Sequence, residues 1–87
     1  MTASYPEDVL EAAHKQSMPN RESLRKSTRF GCFFCLHVQD VSAIQEWGDN
    51  GNTALCPNCK IDSVIGDATG LPVTDRSFLS AMHARWF

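Results

Sequence analysis

The sequence contains no apolar run that approaches the ~20 residues a helix needs to cross a bilayer. Its first residues lack the basic and then apolar stretches of a secretory leader. Glycine and proline are scarce, at five and four residues, and nothing repeats beyond two pairs of cysteines. These absences predict a soluble protein of the cytoplasm that does not associate with a membrane.

The chain is also too short to form a large apolar core. Eighty-seven residues leave room for one domain, 1–87, which buries roughly 60–65% of the surface that its unfolded form exposes. The composition is nevertheless globular, with 43% hydrophobic and 21% charged residues. A core this thin usually needs disulfides or a bound metal in addition.

Cysteine is absent outside residues 30–60, where two Cys-x-x-Cys pairs lie twenty residues apart. The first pair is Cys32 and Cys35, and the second is Cys56 and Cys59. Each pair directs two sulfurs of a tight turn at one position, and two such turns complete a tetrahedron around zinc. We therefore predict one structural Zn²⁺ held by these four cysteines.

Other uses of the cysteines remain open at this point. A redox dithiol of the thioredoxin type needs a βαβ context that the sequence lacks, whereas an iron site of the rubredoxin type has similar spacing. His37 follows the first pair and is a further candidate ligand, although four thiolates already fill a tetrahedral shell. Gly31 permits a close backbone approach before the first pair, while Lys60 stands where glycine often follows the second.

Charge is unevenly placed along the chain, whose formal net charge is −2. Residues 1–31 carry five basic and four acidic groups, whereas residues 32–62 carry only Lys60 against four acidic groups. Nucleic-acid binding depends on neutralising phosphates with Lys and Arg. The cysteine segment therefore has the wrong sign for nucleic acid, and the basic stretch 21–29 is the alternative place for it.

Helices are predicted on both sides of the cysteine pairs. Residues 6–16 form the first, with Ser4 as its cap, and a polar helix of residues 21–27 follows Asn20 and has little to bury. The last helix covers residues 74–87. Its apolar face consists of residues at helical spacing: Phe78, Leu79, Met82 and Trp86.

Short strands are predicted over residues 36–41, 53–55 and 61–65, which are rich in alternating or β-branched apolar residues. Residues 43–47 suit a helical turn, with a strand as the competing interpretation. Residues 48–52 are a turn whose Asn-Gly step accepts positive φ.

Together these elements predict a small α+β fold of the zinc-ribbon kind. Its parts are a helical N-terminal segment (1–28), a core of two zinc knuckles on short antiparallel strands (29–66), and a C-terminal helix (74–87) packed across them. Of the adjacent residues Phe33 and Phe34, one should face the core and the other the solvent. Both tryptophans are assigned to core packing.

Several runs of the sequence resemble a group of small bacterial proteins that are described only as uncharacterised and cytoplasmic. The runs are Gly31–Cys35, Glu46–Trp47, Thr53–Cys59, Ile61–Ile65, and the ending Met82–His83 with Trp86–Phe87. The resemblance covers about residues 20–87. It implies a bacterial cytosolic protein with a zinc ribbon, and it implies no activity.

Three functions follow as hypotheses. The leading one is a non-catalytic, zinc-stabilised interaction module with a protein partner, and a homodimer through the C-terminal aromatic face is one form of it. The second is a nucleic-acid-binding ribbon that uses residues 21–29. The third is a small hydrolase or nuclease of the treble-clef type, in which Asp62, Ser63 and Asp67 would act with His37 or His83.

Overall fold

A computed structural model describes residues 5–18 and 20–87 and shows an α+β arrangement of helices and antiparallel strands. Ser4, the predicted cap of the first helix, lies outside the described residues. Within them, no helix has the length and apolar character needed to span a membrane. The helices are α1 (Glu7–Lys15), α2 (Arg21–Arg25) and α3 (Arg76–Trp86). The strands are β1 (Arg29–Cys32), β2 (Val38–Asp40), β3 (Trp47–Gly48), β4 (Thr53–Ala54) and β5 (Val64–Gly66).

The strands form two small antiparallel sheets. The larger has the order β2-β1-β5, with Gly31 opposite Val38 on one side and Ile65 on the other. The smaller is the hairpin β3-β4, in which Trp47 lies opposite Ala54. The strand β1 therefore lies at the centre of the larger sheet.

The larger sheet separates two apolar clusters, because successive strand residues point to opposite faces. Val64 of β5 belongs to one cluster and its neighbour Ile65 to the other. The first cluster joins α1 and α3 to the sheet: Leu10, Ala13, Phe33, Ile65, Val73, Phe78, Leu79 and Met82. The second contains the cysteine region: Leu24, Phe30, Cys32, Ala54, Cys56 and Val64. The C-terminal helix thus packs on the opposite face from Cys32 and Cys56, and it contacts the first knuckle through Phe33 and Phe34.

The chain segment that precedes α3 lies close to the sheet at Gly31. A Cβ atom on Gly31 would stand 2.0 Å from the backbone oxygen of Val73 and 3.0 Å from a methyl carbon of Leu79. Since the first of these is a backbone atom, it can move only with its chain segment. The close approach expected at this glycine is therefore present.

We expect Gly31→Ala to lower the free energy of unfolding by about 3 kcal/mol, since overpacking against backbone typically costs about 1–3 kcal/mol or more. Urea unfolding followed by circular dichroism measures the change. Gly70→Ala is the matched control, because nothing lies within 4 Å of the Cβ added at that residue, although its φ of +81° adds a small local strain. Equal losses in the two variants would contradict the close-approach explanation.

The helix α2 is docked more firmly than its polar sequence predicts. Leu24 and Asn20 are each only 1% exposed. The amide of Asn20 donates to the backbone oxygen of Val64 at 2.8 Å and accepts from the backbone nitrogen of Ala54 at 2.9 Å. Asn20 stands at the N-cap position but makes no capping hydrogen bond with its side chain. The polar helix that was predicted to have little to bury is therefore anchored by one buried amide, which joins it to both sheets.

Other local predictions agree with the structure to different degrees. Helix 6–16 and helix 74–87 are observed as α1 and α3, and the side chain of Asp75 caps α3 by accepting from the Ser77 nitrogen at 2.8 Å. The helical turn predicted over 43–47 was wrong: a 3₁₀ turn covers Val41–Ala43, and Trp47 lies in a strand. The strand predicted over 61–65 is shifted to β5.

Candidate metal centre

The two cysteine pairs meet at one point. The sulfur atoms of Cys32, Cys35, Cys56 and Cys59 all lie within 4.8 Å of one another. Across the pairs, Cys32 Sγ is 3.6 Å from Cys59 Sγ, and Cys35 Sγ is 3.6 Å from Cys56 Sγ. A tetrahedron with metal–sulfur bonds of about 2.3 Å has edges of about 3.8 Å. The four sulfurs therefore have the separation of ligands around a single metal ion.

The first knuckle is a tight turn closed by two backbone hydrogen bonds. The nitrogen of Cys32 donates to the oxygen of His37 at 2.9 Å, and the nitrogen of Leu36 donates to the oxygen of Cys32 at 2.9 Å. Leu36 has φ of +65°, in the left-handed region that side chains disfavour. This conformation turns the chain back sharply after the first pair.

The second knuckle repeats the same pattern. The nitrogen of Cys56 donates to the oxygen of Ile61 at 3.0 Å, and the nitrogen of Lys60 donates to the oxygen of Cys56 at 2.8 Å. Lys60, like its counterpart in the first knuckle, has a left-handed φ, of +66°. The backbone nitrogen of Asn58 points at the Cys56 sulfur at 3.4 Å, where it can spread the charge of a thiolate. Two turns with the same hydrogen bonds thus deliver two sulfurs each.

We expect Lys60→Gly to raise the free energy of unfolding by about 1 kcal/mol, because glycine adopts the left-handed conformation without the cost of a side chain. The side chain that is lost pairs with Glu46 at 2.7 Å, but both groups are more than half exposed. Such a surface pair contributes about 0–1 kcal/mol. Thermal and urea unfolding of the metal-loaded protein measure the difference.

Two further variants separate the contributions at this position. Lys60→Ala keeps the strained backbone and removes only the ion pair, so its stability should be equal to or slightly below that of the parent. Leu36→Gly relieves the same strain but removes a side chain packed on the first apolar cluster, and it should destabilise. A Lys60→Gly protein less stable than Lys60→Ala would contradict the strain argument.

The four sulfurs have different surroundings. Cys32 is fully buried with its Sγ 3.0 Å from the Ser63 hydroxyl, and burial raises the pKa of its thiol strongly. Burial also raises the pKa of Cys59. At Cys35 burial acts in the same direction, but hydrogen bonds from Asn58, His37 and Cys32 outweigh it and lower the pKa to about 6. The thiols therefore differ in how readily they lose a proton when a metal binds.

Ser63 is a site residue whose role the sequence did not reveal. The sequence singled out Ser63 only as a member of the hydrolase hypothesis and gave no sign of a contact with a cysteine. In the structure it is 1% exposed and its hydroxyl faces the Cys32 sulfur. Only the packing of β5 against β1, where Cys32 lies opposite Val64, reveals this contact.

The donor set fits a soft or borderline metal ion. The four cysteines are not joined in disulfides, and two of them are buried while two are half-buried. Thiolates select zinc, iron–sulfur or copper(I) over magnesium or calcium. The geometry is therefore that of a possible metal site made of four cysteines.

Asp67, one of the two acidic residues proposed for catalysis, is engaged elsewhere. Asp67 accepts from the backbone nitrogens of Thr28 and Arg29 at 2.9 and 3.2 Å. His83 has its Nδ1 3.2 Å from the Phe33 oxygen. In the part of the chain that the structure describes, no hydrogen bond or ion pair joins Asp67 or Asp62 to a histidine. The structure does not assemble the acid–base group that the hydrolase hypothesis needs.

An aromatic surface stands beside the first knuckle, made of Phe34, His83 and Phe87. The rings of Phe34 and Phe87 meet edge to face with centroids 4.8 Å apart, and His83 lies 5.8 and 5.5 Å from them. Phe34 is 39% exposed and Phe87 59% exposed, whereas Phe33 is buried. The expected division between Phe33 and Phe34 is confirmed.

Comparison with known proteins finds no match to this chain among protein-family models, curated proteins or solved structures.

Proposed function

We propose that the protein is a small, non-catalytic interaction module whose fold is stabilised by one structural Zn²⁺ bound to Cys32, Cys35, Cys56 and Cys59. The observation that carries the proposal is the convergence of the four sulfurs within 4.8 Å through two turns of the same hydrogen-bond pattern. In this proposal the cysteine region is a zinc ribbon of two knuckles. The setting is the bacterial cytosol, as the resemblance to small bacterial proteins implies.

A structural rather than catalytic role follows from the ligand count. Catalytic zinc keeps one position for water or substrate, whereas structural sites have four protein ligands. Here four thiolates complete the tetrahedron without His37. The ion would hold the two knuckles together and neutralise part of their charge, and the binding function would lie on the surfaces around them.

Metal analysis of the purified protein tests the proposal. Native mass spectrometry and elemental analysis should find one zinc per chain, and His37→Ala should retain it. Cys59→Ser should lose it or bind it far more weakly. Iron in place of zinc, a cysteine disulfide in the freshly isolated protein, or a folded chain free of metal would each overturn it.

We expect zinc binding at pH 7 to release at least two protons. The pKa values of Cys32 and Cys59 are raised above the ordinary value of 9.0, so both thiols carry protons at pH 7 and must lose them to bind metal. In the folded chain the pKa of Cys35 is lowered to about 6, so this thiol would add little to the number, whereas in an unfolded metal-free chain all four thiols carry protons at pH 7. Affinity therefore falls as the pH falls. Titration calorimetry in buffers of different ionisation enthalpy measures the protons, and a heat independent of the buffer would contradict the expectation.

For the partner, we propose a protein that covers the aromatic surface of Phe34, His83 and Phe87. Exposed apolar side chains that touch one another form the kind of patch found at protein interfaces. A second copy of the chain is one such partner. The central segment, with one basic residue against four acidic ones, does not favour nucleic acid at this place.

Sedimentation velocity across a concentration series tests the homodimer directly. Phe34→Ala with Phe87→Ala should shift the protein towards monomer, whereas Met18→Ala, an exposed apolar residue elsewhere, should not. A protein that stays monomeric at every concentration would rule out the homodimer. The zinc proposal would survive that result, since metal content is measured separately.

A further inference from the structure

The fold brings Trp47 beside the basic helix α2. The two arginines that lie one helical turn apart on α2, Arg21 and Arg25, line a surface cavity of about 370 Å³ together with Trp47 and Gly51. These four residues are called the Trp47 face below. Trp47 is 37% exposed, so the prediction that it packs in the core was wrong. An indole accessible to solvent now adjoins two guanidinium groups.

Four hydrogen bonds hold the helix against the β3-β4 hairpin. The backbone nitrogens of Asn20 and Arg21 both donate to the oxygen of Asn52, at 3.0 and 3.1 Å, and the Asn20 amide accepts from Ala54. Arg21 Nη1 donates to the oxygen of Gly51 at 2.9 Å. These bonds hold the start of the helix against the hairpin, so the helix and the hairpin that carries Trp47 are joined without a ligand.

Gly51 is part of this construction. Its φ is +87°, in the left-handed region, and a Cβ there would stand 3.2 Å from Arg21 Nη1. The preceding Asp49 and Asn50 also have positive φ, of 53° and 55°. This tightly wound turn presents the Gly51 oxygen to the guanidinium and keeps the cavity free of a side chain at that position.

The charges of the face are available to an anion. The Arg21 guanidinium carbon lies 5.9 Å from the centre of the Trp47 ring, at the outer limit of a cation–π contact. Arg25 pairs with Glu22 at 3.1 Å, but these side chains are 69% and 76% exposed. An exposed pair of this type contributes about 0–1 kcal/mol, so a phosphate can displace it at little cost.

We propose that the Trp47 face binds a short stretch of single-stranded nucleic acid, with one base stacked on the Trp47 indole and one flanking phosphate bound by each of Arg21 and Arg25. Proteins that bind single strands combine aromatic platforms with basic side chains that follow the backbone, and every base offers a flat ring for stacking. A duplex hides those rings. This function lies beyond the metal-stabilised module and shares no residue with the aromatic surface.

The charge distribution around the face suits a binding site for only a few nucleotides. Only two arginines belong to the face, and residues 32–62, which contain Trp47 and Gly51, carry one basic group against four acidic ones. The interaction would therefore cover one or two nucleotides rather than a long groove. So few phosphate contacts limit the affinity for nucleic acid, and they predict that this affinity depends only weakly on salt concentration.

Tryptophan fluorescence in a Trp86→Phe background tests the proposal, because Trp47 is then the only indole. Zinc-loaded protein is titrated at low salt with a ten-nucleotide single strand of mixed sequence, with a mononucleotide, and with a duplex. The single strand should quench the emission most strongly. The logarithm of affinity should fall with the logarithm of salt concentration with a slope of about −1.4 for two phosphates, at about −0.7 for each.

Single-residue variants test which side chains contribute to binding of the strand. Arg25→Ala should change the salt slope from about −1.4 to about −0.7, because one phosphate contact is lost. Trp47→Ala should weaken binding by about 5- to 150-fold, the effect of losing one stacked base. Because this variant lacks the indole, its binding is measured by fluorescence anisotropy of a labelled strand. Arg29→Ala removes an equal charge from the same basic stretch outside the face and is the matched control. Circular dichroism and zinc content verify that each variant is folded.

Several results would overturn the proposal. They are the absence of quenching at low salt, equal losses in Arg25→Ala and Arg29→Ala, and binding that Trp47→Ala leaves unchanged. A base-free polyanion such as polyglutamate that binds as tightly as the strand would also overturn it, since the face would then recognise charge without a base. None of these results bears on metal content, so the zinc proposal is judged independently.

Discussion

Removal of the metal is expected to unfold the whole chain. The ligands Cys32 and Cys56 belong to the second apolar cluster, and the knuckles they start are bonded to β1 and lead into β5. Structural zinc sites in small domains contribute about 10–16 kcal/mol of apparent binding free energy at pH 7. A small domain has only about 5–15 kcal/mol of net stability. With zinc bound as proposed, the metal term would therefore decide whether this chain is folded.

Chelation monitored by far-ultraviolet circular dichroism and by amide spectra measures this effect. Loss of helix signal and collapse of amide dispersion should accompany loss of metal, and added Zn²⁺ should restore both, while Mg²⁺ should not because it prefers oxygen ligands. Cys56→Ser should behave as the chelated protein does. A chain that keeps its dispersion after complete metal removal would show that the apolar clusters suffice by themselves.

Replacement of Asn20 by alanine is expected to be the most destabilising change away from the cysteines. It would leave the buried oxygen of Val64 without its donor and the buried nitrogen of Ala54 without its acceptor. Each orphaned buried group costs about 1–3 kcal/mol, so the total loss is about 3–5 kcal/mol. The reason for a loss this large is that one amide bonds to both sheets.

Denaturant unfolding of the zinc-loaded protein measures the change. Asn20→Asp keeps an acceptor for Ala54 but places a second oxygen against the Val64 oxygen, so it should be destabilised to a similar degree. Glu22→Ala, on the same helix and exposed, is the control and should change stability by less than about 1 kcal/mol. If Asn20→Ala matched that control, the amide bridge would be shown to be unimportant.

Both predictions concern how a chain with little apolar surface to bury is kept folded. A chain of this size has two small apolar clusters separated by a three-stranded sheet, and neither is large. The proposed metal would tie the second cluster together at one end, and the Asn20 amide joins it to the rest of the fold at the other. With zinc bound, polar and metal–ligand bonds would carry a share of the stability that a larger protein obtains from apolar burial.

Some parts of the fold were accessible from the sequence because their causes are local. The spacing of Phe78, Leu79 and Met82 predicted the buried face of α3, and all three are fully buried. The Asn-Gly step predicted the turn before β4, whose residues have positive φ. In each case the residues that decide the conformation lie within about one or two turns of chain.

Other parts were not accessible because their partners are distant. The strand β1 contains only Arg29, Phe30, Gly31 and Cys32, which shows no clear alternation, yet it becomes the central strand by pairing with β2 and β5. The helix α2 appeared to have little to bury, because Asn20 gives no sign in sequence of partners that lie 34 and 44 residues away.

The sequence by itself determined that four cysteines in two Cys-x-x-Cys pairs, followed by an amphipathic helix, would organise a small α+β chain. The tertiary structure alone decided which surfaces these elements expose. It turned Trp47 outward beside Arg21 and Arg25, and it gathered Phe34 and Phe87 into one patch. The physical reason is that ligand spacing and helical periodicity are properties of neighbouring residues, whereas exposure depends on which distant segments pack against each side chain.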